Sequence, residues 1–316
     1  MDRKSLRRLL RRVYRESGLL TGKKRVGLEV SELARLAARR NRLKKLEHFE
    51  LWNEIYDEYV SWVISVASSI YLPLKNEGEF EGNVELRLSV TMLFFRLVSD
   101  LLSVRILCRE GHDVAAKVIA RTAVENIDLI ILLLKKPELA IDFWNAEDTK
   151  RSNDFWHKNV KGEKARKVQK DILRVRLNND DAASSIYDWM YEFHAILGAS
   201  THPSQLGAMF SVLAIGSGTT DNWLGMFGDR AEISCDTYSH LVTHIWKIGF
   251  YFKGFPFDDE NASRLGLKYS EENTLNRHAK VGGETLTSFL VGVWHPERTD
   301  LFFKDYDVSN IWPEAE

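Results

Sequence analysis

Arg121 and Glu125 stand four residues apart in a long apolar run. At 100° per residue they share one stripe with Lys117, Asp128 and Lys135 that is about 80° wide. Val118, Ile119, Val124, Ile127, Ile130, Ile131 and Leu134 fill the rest of the turn, so the helix is buried on most sides and polar on one. A fixed guanidinium suits a phosphate or carboxylate, and a carboxylate one turn away either orients it or moves a proton. Arg96, Asp100 and Ser103 repeat the device in the preceding apolar run. Packed together, the stripes would join Arg96, Asp100, Arg121 and Glu125 in one partly buried charge network. Three roles are open to such a stripe: a solvated ridge whose ion pairs contribute about 0.3–0.5 kcal/mol each, the lining of a cleft, or an oligomer contact.

Histidines supply the other acid–base groups. His202 lies in Thr201-His202-Pro203-Ser204, where Pro203 disfavours a helical conformation at His202 and places it on an extended connection after a helix ending at Gly198. Arg151, Asn153, Asp154 and His157 gather polar groups beside Phe155 and Trp156, in a stretch from Glu147 to Leu177 with ten basic and five acidic residues. His240 and His244, with Asp236 one turn earlier, have the spacing of a metal face, but without an HExxH glutamate or a third specified ligand they read as a polar helix face. His194, among Trp189, Tyr191 and Phe193, reads as a core or interface histidine. Cys108 and Cys235 read as small core residues, too few for a disulfide framework or a four-thiolate zinc site. Ile215 to Thr220 is glycine-rich but lacks the Gly-Lys-Ser/Thr of a phosphate loop, and no nucleophile elbow, kinase set or dinucleotide fingerprint appears. No cofactor and no metal are expected.

The elements that position these groups are helices. The 316 residues hold only six prolines, and apolar residues recur at three- and four-residue spacing through most of the chain. The pattern predicts helices near 4–16, 31–47, 50–69, 84–110, 114–134, 137–157, 164–177, 183–197, 205–214 and 232–252. Gly111 suits a left-handed helix end, and Asp113 suits the capping of the next helix, so the fourth and fifth helices should form an antiparallel hairpin. The expected fold is all-α: a multi-helix up-and-down bundle over 49–253, a basic helical arm over 1–48, and an irregular tail over 254–316 packed on the core. With 44% hydrophobic residues the chain can build such a core.

A net charge of −1 excludes a uniformly basic surface, but its distribution is uneven. Met1 to Leu46 carries sixteen Lys and Arg against four acidic residues, a net +12, leaving −13 for the rest. In Lys4 to Arg15, Leu6, Leu9, Leu10 and Val13 make an apolar stripe among five arginines, an amphipathic basic helix whose partner is nucleic acid, an anionic membrane or the protein's own acidic body. No secretory signal is expected, because Met1 to Gly18 alternates arginine with leucine and never builds an apolar run, and no spanning helix, because the most apolar window, 118–134, is interrupted by Arg121, Glu125 and Asp128. A cytoplasmic protein with no membrane partner follows.

The run from Glu85 through Arg109-Glu110-Gly111-His112-Asp113 to Arg121 and Glu125, joined later by His202, resembles a family of helical bacterial proteins classed as a domain of unknown function. Its pattern is R-x-x-x-E on the second helix and a histidine in a later break between helices, and the match spans about 84–251. That family is distantly similar to HEPN proteins, helical bundles that often dimerise and include metal-independent ribonucleases of toxin and antiphage systems. Their active members carry R-x4-6-H, a spacing found here at Arg42/His48, Arg105/His112 and Arg151/His157. The resemblance implies an HEPN-like, homodimeric RNA-binding protein or metal-independent endoribonuclease of bacterial stress or antiphage defence. In such a mechanism the histidine acts on the 2′-hydroxyl or leaving oxygen and the arginine stabilises the phosphorane. Arg121, Glu125 and His202 are the first candidate site, Arg151 and His157 the second. RNA binding through the basic arm is expected. The alternative is a non-catalytic helical interaction module that scaffolds a partner protein.

Overall fold

The computed structural model describes residues 3–18, 20–21, 24–25, 28–76, 82–161, 164–201, 228, 230 and 232–294. The architecture is all-α, built around an antiparallel hairpin of α4 (Val84–Arg109) and α5 (Asp113–Lys135). Asn83 caps α4 by accepting from the Leu86 amide at 2.7 Å. At its other end Gly111 adopts φ 79°, and the His112 amide reaches Leu107 O (2.8 Å) while the Gly111 amide reaches Cys108 O (3.0 Å). Those two bonds close the helix by the six-to-one, five-to-two pattern that a left-handed glycine permits. Asp113 does not cap α5. It lies inside the first turn, and its Oδ2 accepts from Ser234 Oγ at 2.9 Å.

Residues 127–134 of α5 are all buried, because α4, α8 (Lys164–Leu177), α9 (Asp180–Thr201) and α10 (Asp236–Tyr251) surround it. α3 (Glu47–Asn76) packs against α4 and α10, with Tyr56 stacked on Tyr238 at 4.5 Å and donating to Leu101 O at 2.8 Å. The stretch 137–157, one helix by periodicity, is two: α6 (Leu139–Trp144) and α7 (Thr149–Asn159). Asp148 accepts from the Arg151 amide at 2.8 Å and so starts a new helix after a break.

The arm and the tail are both tied to this body where they are described. α1 (Arg3–Glu16) leads through a short antiparallel pair, β1 (Leu20–Thr21) and β2 (Lys24–Arg25), to α2 (Leu28–Leu43). From the end of α2, Asn41 donates to Glu110 O at 2.7 Å, Arg42 pairs with Glu110 at 3.1 Å, and Lys44 beyond it donates to Arg230 O. The tail, irregular by composition, is largely helical over its described part: α11 (Asp259–Leu265), α12 (Thr274–Arg277), a π-helical turn (His278–Gly282) and α13 (Gly283–Trp294). It packs on α3, where Trp62 donates to Ala279 O and Tyr59 to Leu286 O, both at 2.8 Å. Gly283 is required there, since a Cβ would come within 2.7 Å of the Trp62 indole nitrogen. Among the described residues no helix is long and apolar enough to cross a membrane.

Candidate functional site

The polar stripe of α5 faces other helices. Asp128, one turn beyond Glu125, is buried and accepts from Lys247 Nζ of α10 at 2.9 Å and from Gln169 Nε2 of α8 at 2.8 Å. Lys247 also donates to Gln169 Oε1 at 3.1 Å, which closes a three-membered ring of hydrogen bonds. A lone buried carboxylate is costly, and this ring satisfies it. Burial pushes the Asp128 carboxyl upward, but the charge and hydrogen bond of Lys247, with the bond from Gln169, outweigh it and hold the group below the usual carboxylate range.

His240, His244 and Lys247 lie on one side of α10, at i, i+4 and i+7. His244 is fully buried, and neither ring nitrogen has a hydrogen-bond partner among the described residues. It lines a cavity of about 20 Å³ with Asp128, Gln169, His194 and Lys247, room for one water. Burial, reinforced by Lys247, His194, His240 and Arg121, holds its imidazole neutral far below the ordinary range. Burial pushes His194 down to about 3, against the pull of Asp128 and with the push of Arg121, Arg166 and Lys247. His240 is pushed down to about 4 by burial and Lys117. All three imidazoles are therefore neutral near pH 7. Among the described residues no three His, Cys, Asp or Glu side chains are grouped to hold a metal ion.

Arg121 stands where this seam meets the surface. Its Nε donates to Glu125 Oε1 at 2.8 Å and its Nη1 to His194 O of α9 at 2.8 Å, with the side chain 22% exposed. α9 does not end at Gly198 but runs to Thr201, and the Arg121 guanidinium lies against Gly198. A Cβ there would come within 3.1 Å of Arg121 Nη1. The carbonyl that fixes Arg121 thus belongs to the last two turns of the helix preceding His202. His202 itself lies outside the described residues, as do the predicted helix 205–214 and the glycine-rich run 215–220.

The other candidates fall elsewhere. Arg96 and Asp100 are 3.9 Å apart along α4, and Arg121 pairs with Glu125 along α5, so each ion pair is intrahelical and, among the described residues, no hydrogen bond or ion pair joins the four groups into one network. Arg151 is exposed and pairs with Asp148 at 3.4 Å; His157 is exposed on the same helix. A separation of six residues sets the two about 120° apart around the α7 axis.

α8 carries a second feature. On one side Arg166 Cζ lies 4.5 Å from the Tyr191 ring centroid and Lys170 Nζ 5.6 Å from that of Tyr187. On another, Lys164 and Lys167 join Lys135, Lys136 and Lys158 around a cleft of about 420 Å³, with Asp171 as the acidic lining residue. Lys164 is spent on the end of α7, donating to His157 O and Lys158 O, and Lys158 pairs with Asp142 at 3.7 Å. Lys135, Lys136 and Lys167 make no ion pair among the described residues. The local excess of basic residues over 147–177 was the sequence signal for this cleft; the partners of Asp128 had none.

No protein-family model matches the chain, and no significant match occurs among curated proteins or solved structures. The resemblance drawn above therefore stands on its residues alone.

Proposed function

We propose that this protein binds single-stranded RNA along α8 and acts on it at a metal-independent centre formed by Arg121, Glu125 and His202. The observation that carries the proposal is the α8 band. Lysines around a cleft on one side, and tyrosines paired with Arg166 and Lys170 on the other, combine backbone neutralisation with aromatic faces on which bases stack. The exposed arginines of α1, such as Arg8 and Arg12, the latter paired with Glu16 at 2.9 Å, offer the strand a further basic surface. Arg121, held by Glu125 and by the end of α9, supplies a positioned cation for the phosphorane. His202 takes the 2′-hydroxyl proton. The 2′-oxygen attacks phosphorus, the bond to the 5′-oxygen breaks, and that oxygen leaves with a proton taken from solvent water, giving a cyclic phosphate.

The test is binding of a fluorescent single-stranded RNA from about 50 to about 300 mM salt, followed by cleavage assays with and without chelator. Affinity should fall steeply with salt, and K135E/K136E/K167E should weaken binding and flatten the salt slope by about three, one for each lost phosphate contact. R121A and H202A should each abolish cleavage with binding retained and chelator without effect. Salt-independent binding, or full affinity in the triple variant, overturns the α8 assignment; full cleavage by both single variants overturns the centre.

A further inference from the structure

The outer face of α4 is apolar, although a helix in contact with solvent is ordinarily polar on that side. Met92 (48%), Phe95 (46%), Leu102 (39%) and Ile106 (63%) are exposed, and Leu88 is half-buried on the same stripe. With Ser99 these positions follow one another at steps of four, three, four, three and four residues. That is the alternation of a helix–helix seam, and it keeps all six within about 80° of one another. Tyr71 of α3 extends the patch, its ring 5.2 Å from that of Phe95. The inner face of α4 is already committed: Leu86, Val90, Phe94, Leu97 and Leu101 are fully buried, and Asn126 donates to Leu93 O. The outer stripe is surplus to the monomer's own core.

We infer that this stripe is the seam of a homodimer in which the two α4 helices pack antiparallel about a two-fold axis level with Leu97. The occupant follows from the stripe's own symmetry. Reversed about that level, Leu88 meets the partner's Ile106, Met92 meets the partner's Leu102, and Phe95 meets the partner's Ser99, so each large apolar group faces an apolar or a small one. One position further out on each side, Glu85 faces the partner's Arg109, opposite charges at both ends of the seam. A two-fold interface must be self-complementary, whereas a surface evolved for an unrelated partner has no reason to match itself in register and in charge. A parallel pairing would put Glu85 against Glu85 and Arg109 against Arg109. The seam from Leu88 to Ile106 is about 27 Å long at 1.5 Å per residue. It is independent of the RNA reading.

The full chain should sediment at twice its 36.5 kDa mass. Because the substituted side chains are exposed on the single chain, M92E/L102E should give a monomer with unchanged helical circular dichroism and a melting temperature that no longer rises with protein concentration. E85R should weaken the dimer, and E85R/R109E should restore it. Under mild oxidation, L88C mixed with I106C should form a disulfide between chains, whereas L88C alone should not, its two copies being separated by nearly the whole seam. A monomeric wild type, a dimer unaffected by M92E/L102E, or efficient cross-linking of L88C to itself would each overturn the inference.

Discussion

Three buried histidines should make this protein acid-labile well above the range in which carboxylates titrate. An ordinary histidine titrates near 6.5, but burial pushes His194 down to about 3 and His240 down to about 4, and it carries His244 well below its ordinary value. The folded state thus keeps these imidazoles neutral while the unfolded chain protonates them. Stability is complete above about pH 6.5 and is lost as acid is added, because the unfolded state binds more protons. Each depressed group contributes a slope approaching about 1.4 kcal/mol per pH unit, so between about pH 7 and about pH 5 each costs about 2 kcal/mol and the three together about 6 kcal/mol. That is comparable to the whole stability of many domains, about 5–15 kcal/mol. Asp128 adds nothing in this window, since its carboxyl is held low and stays ionised. Asp100 and Asp236 act in the opposite sense, their carboxyls being raised by burial against the pull of Arg96 and of Lys117 with His48, so they recover part of the loss towards the acid end. Urea unfolding followed by circular dichroism at constant ionic strength measures the slope. H244L should remove about one third of it. A wild type whose stability changes by less than about 1 kcal/mol across that window, or an H244L variant with the full slope, would refute the assignment of neutral buried imidazoles.

Other perturbations separate structural from functional roles. K247M leaves Asp128 buried without its cation and should cost about 3–5 kcal/mol by denaturant titration, whereas D128L/K247M, which removes both charges, should recover most of that loss. G198A should leave the melting temperature unchanged or raise it, since alanine is favoured over glycine in a helix by about 0.5–1 kcal/mol, yet it should lower RNA cleavage by displacing the Arg121 guanidinium. R87L should destabilise by about 3 kcal/mol, because Arg87 is fully buried and its Nε donates to Ile70 O at 3.0 Å.

Most helices were legible because their signals are local. The spacing over 84–110 and 114–134, and Gly111 between them, gave the central hairpin nearly to the residue. Local signals also account for two differences. Asp148 looked like one more polar residue in a continuous periodicity, but its side chain could reach a backbone amide three residues on and start a new helix. Gly198 looked like a terminator, since glycine usually is one near a helix end; here its missing Cβ admits a guanidinium from a helix far earlier in the chain. The partners of Asp128 were not legible at all. Lys247 is 119 residues away and Gln169 is 41, and no periodicity within one helix reports which polar residue on another will meet it. The α4 stripe was legible as apolar sequence but not as surface. Its inner and outer faces are equally hydrophobic, and only packing decides which one the monomer's own core uses.

The stripe on α5 was open to three readings, a solvated ridge, a lined cleft or an oligomer contact, and its members divide by depth. Asp128 is held by two buried donors that leave it no freedom to change partner during a reaction, and its ion pair with Lys247 has almost no access to water. Groups so fully satisfied stabilise and orient; they are poorly suited to exchanging protons with a substrate. His244 has two unengaged nitrogens but only room for a water beside it, so it can take part in chemistry only through that water. Arg121 and Glu125 differ from both. Each is fixed by one short bond to the other, Arg121 also by the His194 carbonyl, and each keeps a solvent-facing remainder, 22% and 36% exposed. A guanidinium with five donors, two of them committed, retains donors for a phosphate. The depth gradient therefore assigns the seam interior to holding α5, α8, α9 and α10 in register, and it leaves Arg121 and Glu125, at the outer end, as the members of the stripe with donors and acceptors still open to a ligand.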